Sequence, residues 1–500
     1  MAQPAATVPD DAVLTRGMVL YQANCAACHG VTGRGDGTAA YLLNPKPRNF
    51  TEGVFRLTSN KSGLPTDEDL IRTLKRGMPG SAMPPWGHLP DSDLQSLVRA
   101  MRKLAVDGKV AVIRERSKSM KPEKAMQLAD SLLKSSPVVV LPPRPAQERI
   151  DLARGKELYT ANCAACHGAD GRGKDKRDMV DNTGFPIFAR DFTAGIFKGG
   201  SGDEDIARRL VVGMPGSPMP SAPDMPAEDL WSLVAYVQQF IKPGAQERVA
   251  QSVHTISAKR VSDQVNTNLN KSIWEGAPVQ TLALMPLWWR DDRIENVSVR
   301  AIHDGTNLAI QLTWDDPTAD DLVVRPQAFT DGTAIQLSGA EKPPLFAMGD
   351  NTAAVDIWYW KASRQHDASA TQPAMASVYP DMPHGNLGAP TDAEFETATA
   401  AGNIVAQTQH PKSVESLRAQ GFGTLTSRGP AGQLTDGMAS RTPTGWQVVF
   451  VRKLVADEPG ETAFVPGGSL SIAFACWDGH AGDRNGQKSV TIWHRLEMEP

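Results

Sequence analysis

The stretch NCAACHG at Asn24–Gly30 recurs letter for letter at Asn162–Gly168. C-x-x-C-H is the attachment motif of a c-type haem. Two thiols three residues apart lie near one face of a helical turn and add across the haem vinyl groups, while the next imidazole reaches iron from one side. A thioredoxin-like dithiol or half a zinc site also uses C-x-x-C, but neither requires His directly after the second Cys. Cys25, Cys28 and His29, and again Cys163, Cys166 and His167, are the candidate attachment and proximal-ligand residues.

The motif sits inside a longer repeat. GMPGSAMP (Gly77–Pro84) returns as GMPGSPMP (Gly213–Pro220), and DLQSLVRAM (Asp93–Met101) returns as DLWSLVAYV (Asp229–Val237). PRNFTEGVF (Pro47–Phe55) is echoed by ARDFTAGIF (Ala189–Phe197). Duplication of a unit of this size means two copies of one small domain. Each copy reads as helix, haem motif, long loop, helix, Met-Pro loop, helix. Leu94, Leu97, Val98 and Met101 fall at i, i+3, i+4 and i+7, as do Leu230, Leu233, Val234 and Val237, which is the apolar stripe of a packed terminal helix. Thr66 with Asp69 fits a capping box.

A haem iron needs a sixth ligand or is left open for chemistry. A soft thioether suits electron transfer and raises the potential relative to two imidazoles. Met83 and Met219, each followed by Pro in matching loops, are the candidates; Met78, Met214 and Met225 are runners-up. Residues 12–104 and 150–241 resemble class I mono-haem cytochrome c domains, joined as in diheme cytochromes c. The resemblance implies two all-α domains, each with one covalent haem c, and places the distal ligands on Met83 and Met219. It also implies that each proximal His donates its other ring N–H to a backbone carbonyl. The Pro-rich NPKPRNF loop is the expected source in the first copy. Arg48 and Arg190 are candidates to meet haem propionates, with plain surface arginines as the alternative.

The expected division is residues 1–104 and 149–245 for the two cytochrome c domains, with 105–148 as a linker. PVVVLPPRPAQER has Pro142, Pro143 and Pro145 and reads as a semi-rigid extended spacer. The basic run from Arg114 to Lys124 reads as a solvated face. Net charge is −4, which implies no general attraction to nucleic acid, and no apolar run is long enough to span a bilayer. The opening MAQPAATVPDD reads as what remains after cleavage at a small-residue site, with a Met added back.

Beyond residue 246 helical periodicity fades. Short β-rich runs alternate with Gly, Asp, Asn and Pro turns, and HDGTNLAIQL is a hairpin signal. Eight of the eleven tryptophans lie from Trp288 onward, which suits a sandwich core. Residues 246–500 are therefore expected to form an all-β sandwich.

Three stretches of this region, Val297–Asp320, Pro343–Ala362 and Phe474–Met498, resemble the haem b-binding gamma subunits of ethylbenzene dehydrogenase and dimethylsulfide dehydrogenase. The resemblance implies a non-covalent haem b held by the Met of FAMGD, Met348, and the Lys of NGQKS, Lys488. Read without it, Met348 is a core residue and Lys488 a turn residue; His303, His480 and His494 are alternative ligands. Cys476 reads as a buried small hydrophobe.

Together these features imply a periplasmic triheme electron-transfer subunit, not itself an enzyme, with two haem c and one haem b. Its implied partners are the iron–sulfur and molybdopterin subunits of an oxidoreductase, and a soluble cytochrome c or membrane oxidase. The rival readings are a diheme peroxidase with one open haem, and a diheme cytochrome whose sandwich is a haem-free binding module.

Overall fold

The computed structural model describes residues 10–173, 178–222, 225–267, 271–323, 327–369, 412–456 and 460–500. The opening nine residues, where most of the cleavage remnant is read, lie outside the described residues. The chain divides into two compact units. One holds the described residues up to Ala250 together with Leu287–Trp289; the other holds Gln251–Pro286 and Arg290–Pro500.

The first unit is helical and built twice. The first copy runs α1 (Asp10–Asn24), the single turn α2 (Ala26–His29), α3 (Asp67–Arg76) and α4 (Asp91–Arg116). After α5 (Pro122–Leu132), the second copy runs α6 (Leu152–Asn162), the turn α7 (Ala164–His167), α8 (Asp203–Val212) and α9 (Ala227–Gln238). The capping box opening α3 is present, with the Thr66 hydroxyl accepting from the Asp69 N–H and the Asp69 carboxylate accepting from the Thr66 N–H.

The apolar stripes read from the sequence form the cores. Leu94, Leu97 and Val98 are buried against Leu20, Tyr21, Leu70 and Leu74, and Leu230, Leu233 and Val234 against Tyr159, Ile206 and Val211. The first and last helices of each copy cross at a glycine. A Cβ on Gly17 would stand 1.9 Å from the Ser96 carbonyl oxygen, and one on Gly155 would stand 2.2 Å from that of Ser232. Only glycine lets the two backbones approach so closely.

The segment between the copies departs from the sequence division in two ways. α4 continues to Arg116, past residue 104, because nothing in LAVDGKVAVIRER breaks a helix until Ser117. The Pro-rich stretch is extended, as its composition requires, but it is tied down. The Val139 N–H donates to the Ser59 carbonyl at 2.8 Å, and the Trp231 indole N–H donates to the Pro142 carbonyl at 3.1 Å.

The two copies also bond directly. Arg56 pairs with Asp181 at 2.6 Å, with both side chains nearly buried. Arg209 donates to the carbonyl of Arg56 at 3.0 Å and to that of Thr58.

The second unit is an all-β domain. Its first strands are β1 (Thr255–Arg260), β2 (Gln280–Ala283), β3 (Met285–Pro286), β4 (Asn296–His303) and β5 (Asn307–Asp315). The central ones are β6 (Gly332–Ser338), β7 (Val355–Lys361), β8 (Val414–Ala419) and β9 (Thr426–Ser427). The last are β10 (Asp436–Arg441), β11 (Gly445–Lys453), β12 (Ser469–Trp477), β13 (Ser489–Val490) and β14 (His494–Met498). Hydrogen bonding links them in the order β10-β11-β5-β4-β1-β14-β12-β6-β7-β8-β9. β1 pairs parallel with both neighbours, and the other pairs are antiparallel.

This path folds over on itself. Trp446 of β11 and Trp360 of β7 are remote along the path, yet their rings meet edge to face with centroids 5.2 Å apart. Trp314 of β5 also meets Trp360, at 6.2 Å. The inward faces therefore pack as two layers around one core. The expected hairpin is β4–β5, turned by Asp304–Thr306, with the Asp304 carboxylate accepting from the N–H groups of Thr306 and Asn307.

One expectation fails. Trp288 and Trp289 do not join the sandwich core but belong to the helical unit, where Lys46 lies over the Trp288 ring and Arg190 over the Trp289 ring. Flanking β strands gave them a β-like context, and a three-residue excursion carries no signal of its own.

Candidate functional site

In each cytochrome-like copy the C-x-x-C-H residues fall on one helical turn, and the same supports recur around it. The Tyr21 hydroxyl donates to the Gly30 carbonyl at 2.7 Å, and Tyr159 does the same to Gly168 at 2.7 Å. His29 stacks on Phe50 and His167 on Phe192.

Nδ1 of His29 lies 3.0 Å from the Arg48 carbonyl oxygen, and Nδ1 of His167 lies 3.2 Å from that of Arg190. A carbonyl only accepts, so Nδ1 carries the proton and Nε2 keeps its lone pair for a metal. Burial lowers the pKa of both imidazoles and so favours the neutral form that ligates. The first of these carbonyls lies in the NPKPRNF loop.

The thiols separate a haem site from a redox dithiol. Burial pushes Cys25 up to about 12, and Cys28 and Cys163 up to about 11. A redox C-x-x-C pair needs an acidified thiol, the reverse of this.

Cys25, Cys28, His29 and Met83 line one cavity with an empty volume of about 1180 Å³, open to solvent. Its wall is largely apolar, with Leu70, Leu74, Phe50, Phe55 and Trp86 among the lining residues. The residues present fit a covalent macrocycle held between His29 and a thioether.

The loops that present the methionines are built alike. The Met78 N–H donates to the Met83 carbonyl at 3.0 Å and the Ser81 hydroxyl to the Met78 carbonyl at 2.7 Å. The Met214 N–H donates to the Met219 carbonyl at 3.2 Å and the Ser217 hydroxyl to the Met214 carbonyl at 2.7 Å. Met78 and Met214 thus serve these loops through their backbones. Met214, with Lys198, also lines the first copy's cavity.

Arg48 lines that cavity too, and its guanidinium lies 3.5 Å from the Asn182 side-chain oxygen. The Arg190 guanidinium covers the Trp289 ring at 4.6 Å. Lys198 is a cation that no motif singles out. Burial first, and then Arg190, Arg56 and Arg48, hold its pKa well below the usual lysine value.

In the β unit, Met348 and Lys488 come together. Lys488 Nζ lies 3.8 Å from Met348 Sδ. Metal–nitrogen and metal–sulfur bonds of roughly 2.0–2.3 Å require only slightly more than this to seat one metal between them. Burial lowers Lys488 to about 8, toward the neutral amine that ligates. Its ammonium also lies over the Trp477 ring, 4.7 Å from the centroid.

Met348 has φ +69°, a left-handed backbone that costs a residue with a Cβ about 1–2 kcal/mol. The turn is fixed by Gln336 of β6. Its amide oxygen accepts from the Met348 N–H at 3.1 Å, and its amide N–H donates to the Phe346 carbonyl at 2.7 Å. The Met348 carbonyl accepts from the Gly421 N–H at 2.8 Å. A strained residue held this firmly marks a candidate site. Gln336 was invisible to sequence reasoning, because a Gln inside an apolar strand carries no motif. Of the alternative ligands, His303 and His494 are buried among strands and His480 is exposed; Cys476 is buried beside Thr333.

Comparison with known proteins matches each region. The family described as cytochrome c matches residues 152–240, the cbb3-type cytochrome c oxidase subunit III family matches residues 12–99, and the ethylbenzene dehydrogenase family matches residues 272–489.

The gamma subunit of chlorate reductase from Ideonella dechloratans is 23% identical over 262 residues, 51% of this chain and 89% of the relative. The gamma subunit of dimethylsulfide dehydrogenase from Rhodovulum sulfidophilum is 26% identical over 217 residues, 43% of this chain and 65% of the relative. A Haloferax mediterranei protein, provisionally named as a respiratory nitrate reductase heme subunit, is 26% identical over 212 residues. That match takes in 42% of this chain and spans 58% of the relative's length.

Proposed function

We propose that this chain, two cytochrome c domains fused to a domain of the ethylbenzene dehydrogenase family, is a triheme electron-transfer subunit of a periplasmic molybdopterin oxidoreductase complex. Bound haem supplies the redox centres. The observation that carries the reading is the meeting of Lys488 Nζ and Met348 Sδ at 3.8 Å, which adds a third two-faced ligand pair to the two His/Met sets.

The chain's own residues do the positioning. Cys25 and Cys28, and Cys163 and Cys166, fix one edge of each macrocycle covalently. The Arg48 and Arg190 carbonyls hold His29 and His167 in the tautomer that ligates. Met83 and Met219 would supply the second ligand of each iron and so favour electron transfer over substrate binding. Arg48 and Arg190 offer positive charge to the propionates. Gln336 holds Met348 in place, and burial lowers the Lys488 pKa to about 8, which eases the loss of its proton on ligation.

The gamma-subunit names of two relatives support a place beside an iron–sulfur subunit, with the β domain as the docking end. The cytochrome c domains would then exchange electrons with a soluble cytochrome c or a membrane oxidase. Tethering replaces a diffusional encounter with a high local concentration. Among the described residues no helix is long and apolar enough to cross a membrane.

A pyridine haemochrome assay on the protein matured in a periplasm tests the reading. It expects c and b haem at 2:1. Protein with c haem alone, or a high-spin c haem that binds peroxide in the resting state, would overturn it. Co-purification from the native source identifies the partner.

A further inference from the structure

Three aspartates meet inside the β unit, two from the ends of the β5–β6 connection and one from the distant loop after β12. Asp316 follows β5, Asp331 precedes β6 and Asp478 follows β12; they are 1%, 0% and 9% exposed. One carboxylate oxygen from each lies within 4.8 Å of the others. Asp320 stands beside them: its carbonyl accepts from the Asp331 N–H at 2.9 Å, and its own N–H donates to the Asp331 carboxylate at 2.8 Å.

Most of these oxygens have donors. Asp331 accepts from the Gly479 N–H at 2.8 Å and from the Trp446 indole N–H at 2.9 Å. Asp478 Oδ1 accepts from the Ala481 N–H at 2.9 Å, and Asp316 Oδ1 from the Thr318 N–H at 3.0 Å. Two oxygens do not. Asp316 Oδ2 and Asp320 Oδ2 are buried and receive no hydrogen bond among the described residues. A buried carboxylate oxygen without a donor is costly unless a cation meets it.

The Arg441 charge reaches Asp316, but no side-chain cation contacts these carboxylates among the described residues. Among the described residues none of the four aspartates is in an ion pair. Arg290 is engaged with Asp483 at 3.1 Å, and Arg441 donates to the backbone carbonyls of Asp316 and Thr318.

We propose that Asp316, Asp331 and Asp478, with Asp320, bind one hard divalent cation of the calcium class. The donors are all oxygen, which suits calcium, magnesium or manganese and not zinc. Calcium fits best, because carboxylates from irregular loops make the flexible, multi-oxygen shell it accepts. The ion would fasten three chain segments. One of them, Asp478–Asp483, leads directly to Lys488, so the cation would anchor the arm carrying that amine. The site itself does not depend on haem being bound.

The test uses the full-length holoprotein, stripped with chelator and dialysed against metal-free buffer. Elemental analysis after calcium is restored expects one equivalent per chain. Melting followed by circular dichroism expects the β unit's transition to rise by roughly 5–10 °C at a hundredfold excess over the dissociation constant. Asp316→Asn keeps shape and removes charge, and is expected to weaken binding by at least about tenfold. Asp320→Asn, at a less buried position, is the second variant should the first fail to fold, with the same expectation. No bound equivalent and no shift in the unaltered protein overturns the proposal. So does zinc in preference to calcium, or an Asn variant that folds and binds calcium like the original.

Discussion

Lys488 and Met348, 140 residues apart in sequence, bring Nζ and Sδ to 3.8 Å of each other. Neither is in a local motif that demands the other. The contact exists because β6, β7 and β12 lie side by side in the sheet, with Met348 in the connection between β6 and β7 and Lys488 in the turn after β12.

Replacing Lys488 by Ala removes one of these two groups. The expected outcome is loss of b-type haem with both c haems retained, moving the haemochrome ratio from 2:1 to 2:0. Retention of b haem with an unchanged spectrum would show that Lys488 is no ligand.

Met348→Gly separates strain from ligation. Glycine accepts φ +69° without cost but gains freedom in the unfolded chain. The haem-free protein's melting should change by no more than about 1 kcal/mol, whereas b haem binding should fall sharply. A large loss of stability would make Met348 a packing residue.

Met83→His and Met219→His each exchange thioether for imidazole at one centre. Each should lower the potential of one c haem by on the order of 100 mV, within the ~0.8 V that axial ligands span. The other c haem should stay nearly unchanged. Spectroelectrochemistry reads both, and two centres moving together would point to a wrong assignment or to strong coupling.

Gly17→Ala and Gly155→Ala test the duplicated helix crossing. Each new methyl meets a backbone carbonyl at 1.9 or 2.2 Å, so helices must separate. The cost expected for each domain is about 1–3 kcal/mol or more. Thermal unfolding followed at each haem's absorbance should show the altered domain melting first.

His494 makes the β unit sensitive to acid. Burial, with the neighbouring His254 adding to it, lowers it to about 3. The unfolded chain takes up a proton near pH 6.5 and the folded one does not until about 3. Stability is therefore complete above about pH 6.5 and falls as pH drops toward 3, by on the order of 3 kcal/mol. His494→Gln should flatten that part of the melting-against-pH curve. An unchanged slope would place the acid sensitivity elsewhere.

The C-x-x-C-H turns, the Met-Pro loops, the capping box and the β4–β5 hairpin were legible in the sequence. Each is a local arrangement whose geometry follows from a few residues of helix or turn, so spacing alone specifies it. Long-range register decided the rest. Only the assembled sheet sets Lys488 against Met348, puts Gln336 under the Met348 turn and brings Asp478 to the two ends of the β5–β6 connection, Asp316 and Asp331. Only the assembled helices tie the Pro-rich stretch to Ser59 and Trp231, and take Trp288 and Trp289 out of the β core. Partners separated by scores of residues meet only after the backbone between them has chosen its pairing, and no short window of sequence encodes that choice.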